Sequence, residues 1–144
     1  NTAASQTYVH EKDDVSDSDH ANHLAKAAHR IGHGWPGKAR FLNVDSLTAA
    51  RWLQRDGEQA DFVFIDALHD YDSVWDDLVA WWPLVKVGGL FAGHDYVQNT
   101  LDRMNVKRAV DEFAEGLGLL DQVVAPIHRC WLLPKAFDVP PPTR

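Results

Sequence analysis

Short apolar runs alternate with amphipathic segments along most of the chain. The runs are rich in β-branched and aromatic residues, which favours strands, and the segments between them show the 3.6-residue spacing of helices. Strands are predicted at residues 7–10, 39–45, 61–66, 90–95, 121–128 and 129–135. Helices are predicted at residues 18–32, 46–57, 70–86 and 105–118. Ser46 is the predicted cap of the second helix.

This order of strands and helices predicts the fold. Strands that alternate with helices are typical of a parallel sheet with helices on both faces, so we predict an open, Rossmann-like α/β fold. Residues 62–65 are all apolar, which is typical of a strand buried on both faces. The last two strands follow each other directly, which favours an antiparallel edge strand. We therefore predict a single domain over residues 1–144, with a Pro-rich tail at 136–144.

Composition and charge argue against several classes of partner. The net charge of −7 argues against nucleic acid, because phosphate backbones are bound by clustered Lys and Arg. No apolar run approaches the roughly 20 residues of a membrane span, so no membrane partner is expected. The single cysteine, Cys130, excludes an intrachain disulfide and favours a reducing, cytoplasmic setting. Five histidines lie in the first 33 residues, but their spacing does not converge on one face.

Carboxylates end three of the predicted strands, at Asp45, Asp66 and Asp95. Ligands of open α/β sheets bind beyond the carboxyl ends of the strands, so these three side chains could line one rim. One such Asp alone is more often a cap or turn residue, but the set of three favours a site. Carboxylates brought together need a positive charge between them. Mg²⁺, Ca²⁺ or Mn²⁺ would suit their oxygen atoms.

Two histidines accompany these carboxylates. His69 follows Asp66 by three positions, and His94 directly precedes Asp95. A neutral imidazole beside a cation could accept a proton from a substrate hydroxyl, which makes His69 a candidate base. Three roles stay open for His94: a metal ligand, a second base, or a hydrogen-bonded residue at the strand end.

Other charged residues have simpler interpretations. Asp76 and Asp77 are predicted to lie on the solvated face of their helix. Lys107 and Arg108 are predicted to be surface charges. Neither pair is assigned a role in a site.

Residues 61–96 read DFVFIDALHDYDSVWDDLVAWWPLVKVGGLFAGHDY. This stretch resembles the class I S-adenosylmethionine-dependent methyltransferases, in particular the macrolide-sugar O-methyltransferases with their FIDxxHxY…GGxxxGHDY pattern. It is more distantly similar to catechol-type O-methyltransferases. Residues 105–113, NVKRAVDEF, resemble the segment that follows in that group. The resemblance implies methyl transfer from S-adenosylmethionine to a small-molecule hydroxyl, of sugar or natural-product type, assisted by Mg²⁺ or another divalent cation.

The resemblance also implies roles in metal binding and catalysis. Asp66 and Asp95 match the family's metal-binding aspartates, and His69 matches the catalytic base of the macrolide-sugar group. His94 stands where some relatives have an acidic residue, so it is a candidate third ligand. Catechol-type enzymes have Asn where this chain has Tyr96, so the third ligand stays open.

Further residues match the cofactor-binding positions of the family. Asp45 and Ser46 match a pair that contacts the adenine region, and the backbone around Asp66 and Ala67 would face the methionine part. An acidic residue after the family's second strand holds the ribose hydroxyls. The candidates for that role are Glu11 and Asp13.

The family's first strand and Gly-rich loop are not found before residue 7, and the GHG at residues 32–34 is in the wrong place for that loop. We expect a chain truncated at its N-terminus or, alternatively, a degenerate homologue. Such a chain is expected to bind the cofactor poorly, so activity is expected of the full-length parent. A metal-dependent hydrolase with the same Asp/His/Asp set and a non-catalytic methyltransferase-like module remain alternatives. The substrate and the oligomeric state, including a homo-oligomer, stay open.

Overall fold

The computed structural model describes residues 17–34, 37–97, 105–126 and 129–143. These belong to two compact units, Asn1–Asn43 and Val44–Arg144. The described part of the first unit contains helix α1 (Asp17–Gly34), which confirms the first predicted helix. The predicted strand at 7–10 lies outside the described residues, as do the candidate ribose-binding residues Glu11 and Asp13. No helix in the described part of the chain is long and apolar enough to cross a membrane.

The second unit confirms the other three predicted helices. They are α2 (Ser46–Arg55), α3 (Tyr71–Trp81) and α4 (Val106–Gly116). The predicted cap of α2 is wrong, because the extended residue before the helix is Asp45, whose carboxylate accepts a hydrogen bond from the Thr48 N–H at 2.9 Å. Helix α3 ends earlier than predicted, since Pro83 cannot continue it, and a short 3₁₀ turn follows at Trp82–Leu84.

A three-stranded sheet forms the centre of the second unit. Its strands are β1 (Ala60–Ile65), β2 (Val85–Gly93) and β3 (Trp131–Pro134), in the order β1-β2-β3. Strands β1 and β2 are parallel, and β3 runs antiparallel to β2. The predicted open α/β fold with an antiparallel edge strand is therefore confirmed.

Some predicted strands differ from those observed. Residues 39–45 form no strand, and Phe41, Leu42 and Val44 are exposed. A strand needs a hydrogen-bonding partner, and the three described strands pair with one another in a single sheet. Strand β2 begins at Val85 and passes through the predicted turn at 87–89, where Gly88 adopts a φ of 85°. In the described part of 121–128, only a single bridge joins Val124 to Leu132.

The core lies on one face of the sheet. Val63, Phe91 and Leu133 are buried there, and helices α3 and α4 pack against them. On the other face Phe62 and Phe64 are 54% and 46% exposed, with ring centroids 6.2 Å apart. The prediction that this strand is buried on both faces is therefore wrong, because none of the described elements of the second unit covers these two rings.

The C-terminal segment is part of the fold. The Trp82 indole N–H donates to the Val139 carbonyl at 2.9 Å. Lys135 is almost fully buried, and its ammonium donates to the Trp82 carbonyl at 3.1 Å. Pro142 lies so close to Gly116 that a Cβ there would meet the Pro142 ring at 2.7 Å. The described part of the Pro-rich tail thus packs against the unit.

We predict that Gly93→Ala destabilises the protein. A Cβ at Gly93 would lie 2.5 Å from the Ile65 carbonyl oxygen and 2.7 Å from the Trp131 indole nitrogen. Relieving these contacts requires β1 and β3 to shift away from β2. This shift should lower the free energy of unfolding by about 1–3 kcal/mol in urea titrations. Gly32→Ala is the control, because a Cβ at Gly32 in α1 meets no atom within 4 Å. Equal stability of Gly93→Ala and wild type would contradict this packing.

Candidate functional site

Three predicted site residues come together where β1 and β2 end. Asp66 directly follows β1, Asp95 lies two residues beyond β2, and His69 lies in the loop between β1 and α3. One ligand atom from each side chain lies within 4.8 Å of the other two. We refer to Asp66, His69 and Asp95 as the triad.

Backbone contacts fix the loops that carry the triad. The N–H of Asn105, just before α4, donates to the His69 carbonyl at 2.9 Å, and the N–H of His94 donates to the Ile65 carbonyl at 3.1 Å. Asp95 has a φ of 56°, a left-handed conformation that Asp tolerates better than most residues. The turn after β2 therefore directs the Asp95 carboxylate towards the His69 loop.

The Asp95 carboxylate is the centre of the site. The whole residue is only 9% exposed, and groups that can carry positive charge surround the carboxylate. His69 Nε2 lies 2.8 Å from Oδ2, His94 Nδ1 lies 3.3 Å from the same oxygen, and a guanidinium nitrogen of Arg129 lies 3.7 Å from Oδ1. His94 is thus placed as a neighbour of the triad, and its three possible roles stay open.

The closest of these contacts lacks hydrogen-bond geometry. His69 Nε2 is buried and has no hydrogen-bond partner, although Asp95 Oδ2 is only 2.8 Å away. Nε2 is therefore not held by the Asp95 carboxylate, so it could accept a proton or bind a ligand. The two carboxylates of the triad offer the hard oxygen donors that Mg²⁺ and Mn²⁺ prefer, and the imidazole lies close beside them.

Sequence reasoning missed Arg129. It has a φ of 66°, and its carbonyl accepts a hydrogen bond from the Tyr96 N–H at 2.8 Å. The antiparallel pairing of β2 with β3 brings it beside Asp95 from a distant part of the sequence. No local motif marks a residue that only strand pairing brings to the site.

Two clefts open beside Asp66, with volumes of about 390 and 340 Å³. Ser46, Ala67 and Asp77 line both clefts, Asp66 lines the first, and Asp45 lines the second. The four described candidates for cofactor binding therefore surround these clefts, next to the triad. Asp45 also caps α2, and the hydrogen bonds from Thr48 lower the pKa of its carboxyl.

Asp77 corrects the prediction of a solvated helix face. Only 5% of it is exposed, whereas its neighbour Asp76 is exposed. The Trp81 indole N–H donates to the Ser46 hydroxyl at 2.8 Å, and that hydroxyl in turn is hydrogen-bonded to Asp77. Burial raises the pKa of Asp77, the hydrogen bond from Ser46 opposes this rise, and the charge of Asp76 adds to it. Helix α2 packs on α3 and buries the side of α3 that carries Asp77. The residue pattern of α3 alone does not show this packing.

A comparison with known protein families decides the class of the protein. Residues 3–96 match a family described as a methyltransferase domain, which is more than half of the chain. The chain belongs to this methyltransferase family. The matched residues include the whole triad and the residues that line both clefts. No curated protein gives a significant match to the chain.

The family match confirms the predicted methyltransferase class. Methyltransferase domains typically take the methyl group from S-adenosylmethionine. In this methyltransferase, the residues that could hold a cation and those that surround the clefts meet at Asp66 and Ala67. The triad and the clefts therefore lie side by side at one edge of the sheet.

We predict that Asp77→Asn changes how stability depends on pH. A raised pKa means that folded Asp77 holds its proton more tightly than in the unfolded chain. Its stabilising contribution is then complete below the unfolded pKa, about 3.9, and is lost as the pH rises through the folded value. The melting temperature of Asp77→Asn should therefore rise relative to wild type between pH 4 and pH 7.

Asp72→Asn controls for the loss of one negative charge, because Asp72 is an exposed carboxylate on the same helix. Thermal unfolding followed by circular dichroism gives the comparison. The burial of this carboxyl would be contradicted if the difference in melting temperature between Asp77→Asn and wild type stays constant with pH. It would also be contradicted if wild type becomes the more stable of the two as the pH rises.

Proposed function

We propose that the protein is an S-adenosylmethionine-dependent O-methyltransferase that methylates a hydroxyl group of a small molecule with the help of a divalent cation. The convergence of Asp66, His69 and Asp95 beside the two clefts carries this proposal. The family supports methyl transfer, and the donor set of the triad supports the cation.

Each residue of the triad has a role in the proposed reaction. Asp66 and Asp95 would hold the cation, whose charge, when bound, lowers the pKa of a substrate hydroxyl. His69 accepts the hydroxyl proton at Nε2, the atom that has no hydrogen-bond partner in the described structure. The guanidinium of Arg129 lies beside the Asp95 carboxylate and offsets part of its negative charge, and His94 lies beside the same carboxylate.

The clefts would hold the methyl donor. Asp45 and Ser46 line the side expected to receive the adenine, and Ala67 connects both clefts to the triad. The Ser46 hydroxyl already has Trp81 and Asp77 as partners, so its orientation is set before a ligand arrives. Much of the rate would come from holding the sulfonium methyl group and the substrate oxygen in line.

The substrate class follows from the resemblance described above. We propose a sugar or polyol hydroxyl on a natural product, and a small molecule rather than nucleic acid because the net charge is −7. A cytoplasmic location is part of the same proposal. A metal-dependent hydrolase would share the triad but would not need the clefts.

We predict that Asp95→Asn and His69→Gln affect different steps. Asp95→Asn removes a charged ligand and should weaken Mn²⁺ binding by about tenfold or more, measured by electron paramagnetic resonance. His69→Gln should bind Mn²⁺ within about threefold of wild type but lower the rate of methyl transfer by about 10²–10⁴, the usual contribution of a general base.

Asp61→Asn is the control, since Asp61 is an exposed carboxylate paired with Lys86 and lines neither cleft. It should change neither Mn²⁺ binding nor methyl transfer. Unchanged methyl transfer in His69→Gln would exclude His69 as the base. Loss of Mn²⁺ binding in His69→Gln would instead make it a ligand.

A further inference from the structure

Tyr71 links the end of the His69 loop to helix α4 through contacts of its side chain. It lies two residues after His69, and its hydroxyl donates to a carboxylate oxygen of Glu112 at 2.5 Å. The Arg108 guanidinium lies 4.7 Å from the centre of the Tyr71 ring and donates to Glu112 at 2.9 Å. The Tyr71 side chain, the Arg108 guanidinium and the Glu112 carboxylate therefore each contact the other two.

Tyr96 makes the same set of contacts directly after Asp95. Its hydroxyl donates to a carboxylate oxygen of Asp111 at 2.5 Å. The Lys107 ammonium lies 4.7 Å from the centre of the Tyr96 ring and also donates to Asp111. This set ties the turn that carries Asp95 to the same helix.

The two sets are offset by one residue along α4. Each combines a cation and a carboxylate four residues apart, a spacing that puts both on one helix face. The N–H of Asn105, at the start of the same helix, donates to the His69 carbonyl. Helix α4 thus contacts both loops of the triad, although it contributes no triad residue.

We propose that the hydroxyls of Tyr71 and Tyr96 are positioning groups that hold the His69 loop and the Asp95 turn at the separation required for cation binding. We name this arrangement the tyrosine clamp. It rests on the proposed function, because the cation is part of that proposal. Groups that orient metal ligands through hydrogen bonds commonly change metal affinity by about 10–100-fold when they are removed.

Tyr71→Phe and Tyr96→Phe are the variants that test the clamp. Each keeps the ring that faces the cation but removes the hydroxyl that donates to the carboxylate, and Tyr96→Phe also removes the acceptor of a 3.3 Å hydrogen bond from Lys107. Val110→Ala is the matched control, because Val110 is a buried core residue on the same helix. It should lower the stability of α4 packing without removing a hydroxyl contact.

Hydrogen exchange measures whether the hydroxyls hold the loops. The reporters are the amides of Asn105, His94 and Tyr96, all of which donate to backbone carbonyls near the triad. We expect exchange at these amides to be about fivefold or more faster in the tyrosine variants than in Val110→Ala. Equal exchange in the tyrosine variants and wild type, or equally fast exchange in Val110→Ala, would overturn the clamp.

Mn²⁺ titration measures whether the clamp acts on the site. We expect affinity to fall about tenfold in Tyr71→Phe and in Tyr96→Phe, and to stay within about twofold of wild type in Val110→Ala. Faster exchange with unchanged Mn²⁺ affinity would show that the tyrosines stabilise the loops only, and would overturn the positioning role. If wild type binds no Mn²⁺, the proposed function fails, and the exchange comparison alone decides whether the clamp exists.

Discussion

The ring of Phe91 lies at the centre of the core, where it contacts three other aromatic rings. Trp131 meets it edge-on at 5.3 Å, and Trp82 and Phe113 lie 5.8 and 6.4 Å away. These contacts join β2 to β3, to α4 and to the 3₁₀ turn that follows α3. Removing such a ring typically costs about 3–5 kcal/mol, a large part of the stability of a small domain. The placement of the other elements of the second unit depends on this packing.

The same packing sets the geometry of the site. Strands β1 and β2 are in a register that pairs Ile65 with Gly93, so the segments after them begin side by side. Asp66 follows the first of these residues, and the turn to Asp95 follows the second. Gly93 allows this because the Ile65 carbonyl and the Trp131 ring occupy the space that a side chain would need. The triad thus depends on strand register and on one residue without a side chain.

Sequence patterns predicted the order of the elements and the residues around the triad, because both depend on local periodicity and on where strands end. These patterns failed where contacts between distant parts of the chain decide whether a strand forms or a side chain is buried. Residues 39–45 have a strand pattern but form no strand in the described structure. Asp77 lies beside exposed Asp76, yet α2 buries it. Arg129 reaches Asp95 only through strand pairing, and the clamp tyrosines act through helix α4 rather than through a motif.

The central claim is that the clefts beside the triad bind the methyl donor of an O-methyltransferase. Calorimetric titration of the full-length parent with S-adenosylhomocysteine tests it most directly, with Ser46→Ala as the cleft variant and Asp61→Asn, which lines neither cleft, as its control. We expect wild type and Asp61→Asn to bind equally, and Ser46→Ala to bind about three- to tenfold more weakly, the effect of losing one hydrogen bond. Absence of binding to wild type, or equal binding by Ser46→Ala, would contradict the assignment of the clefts.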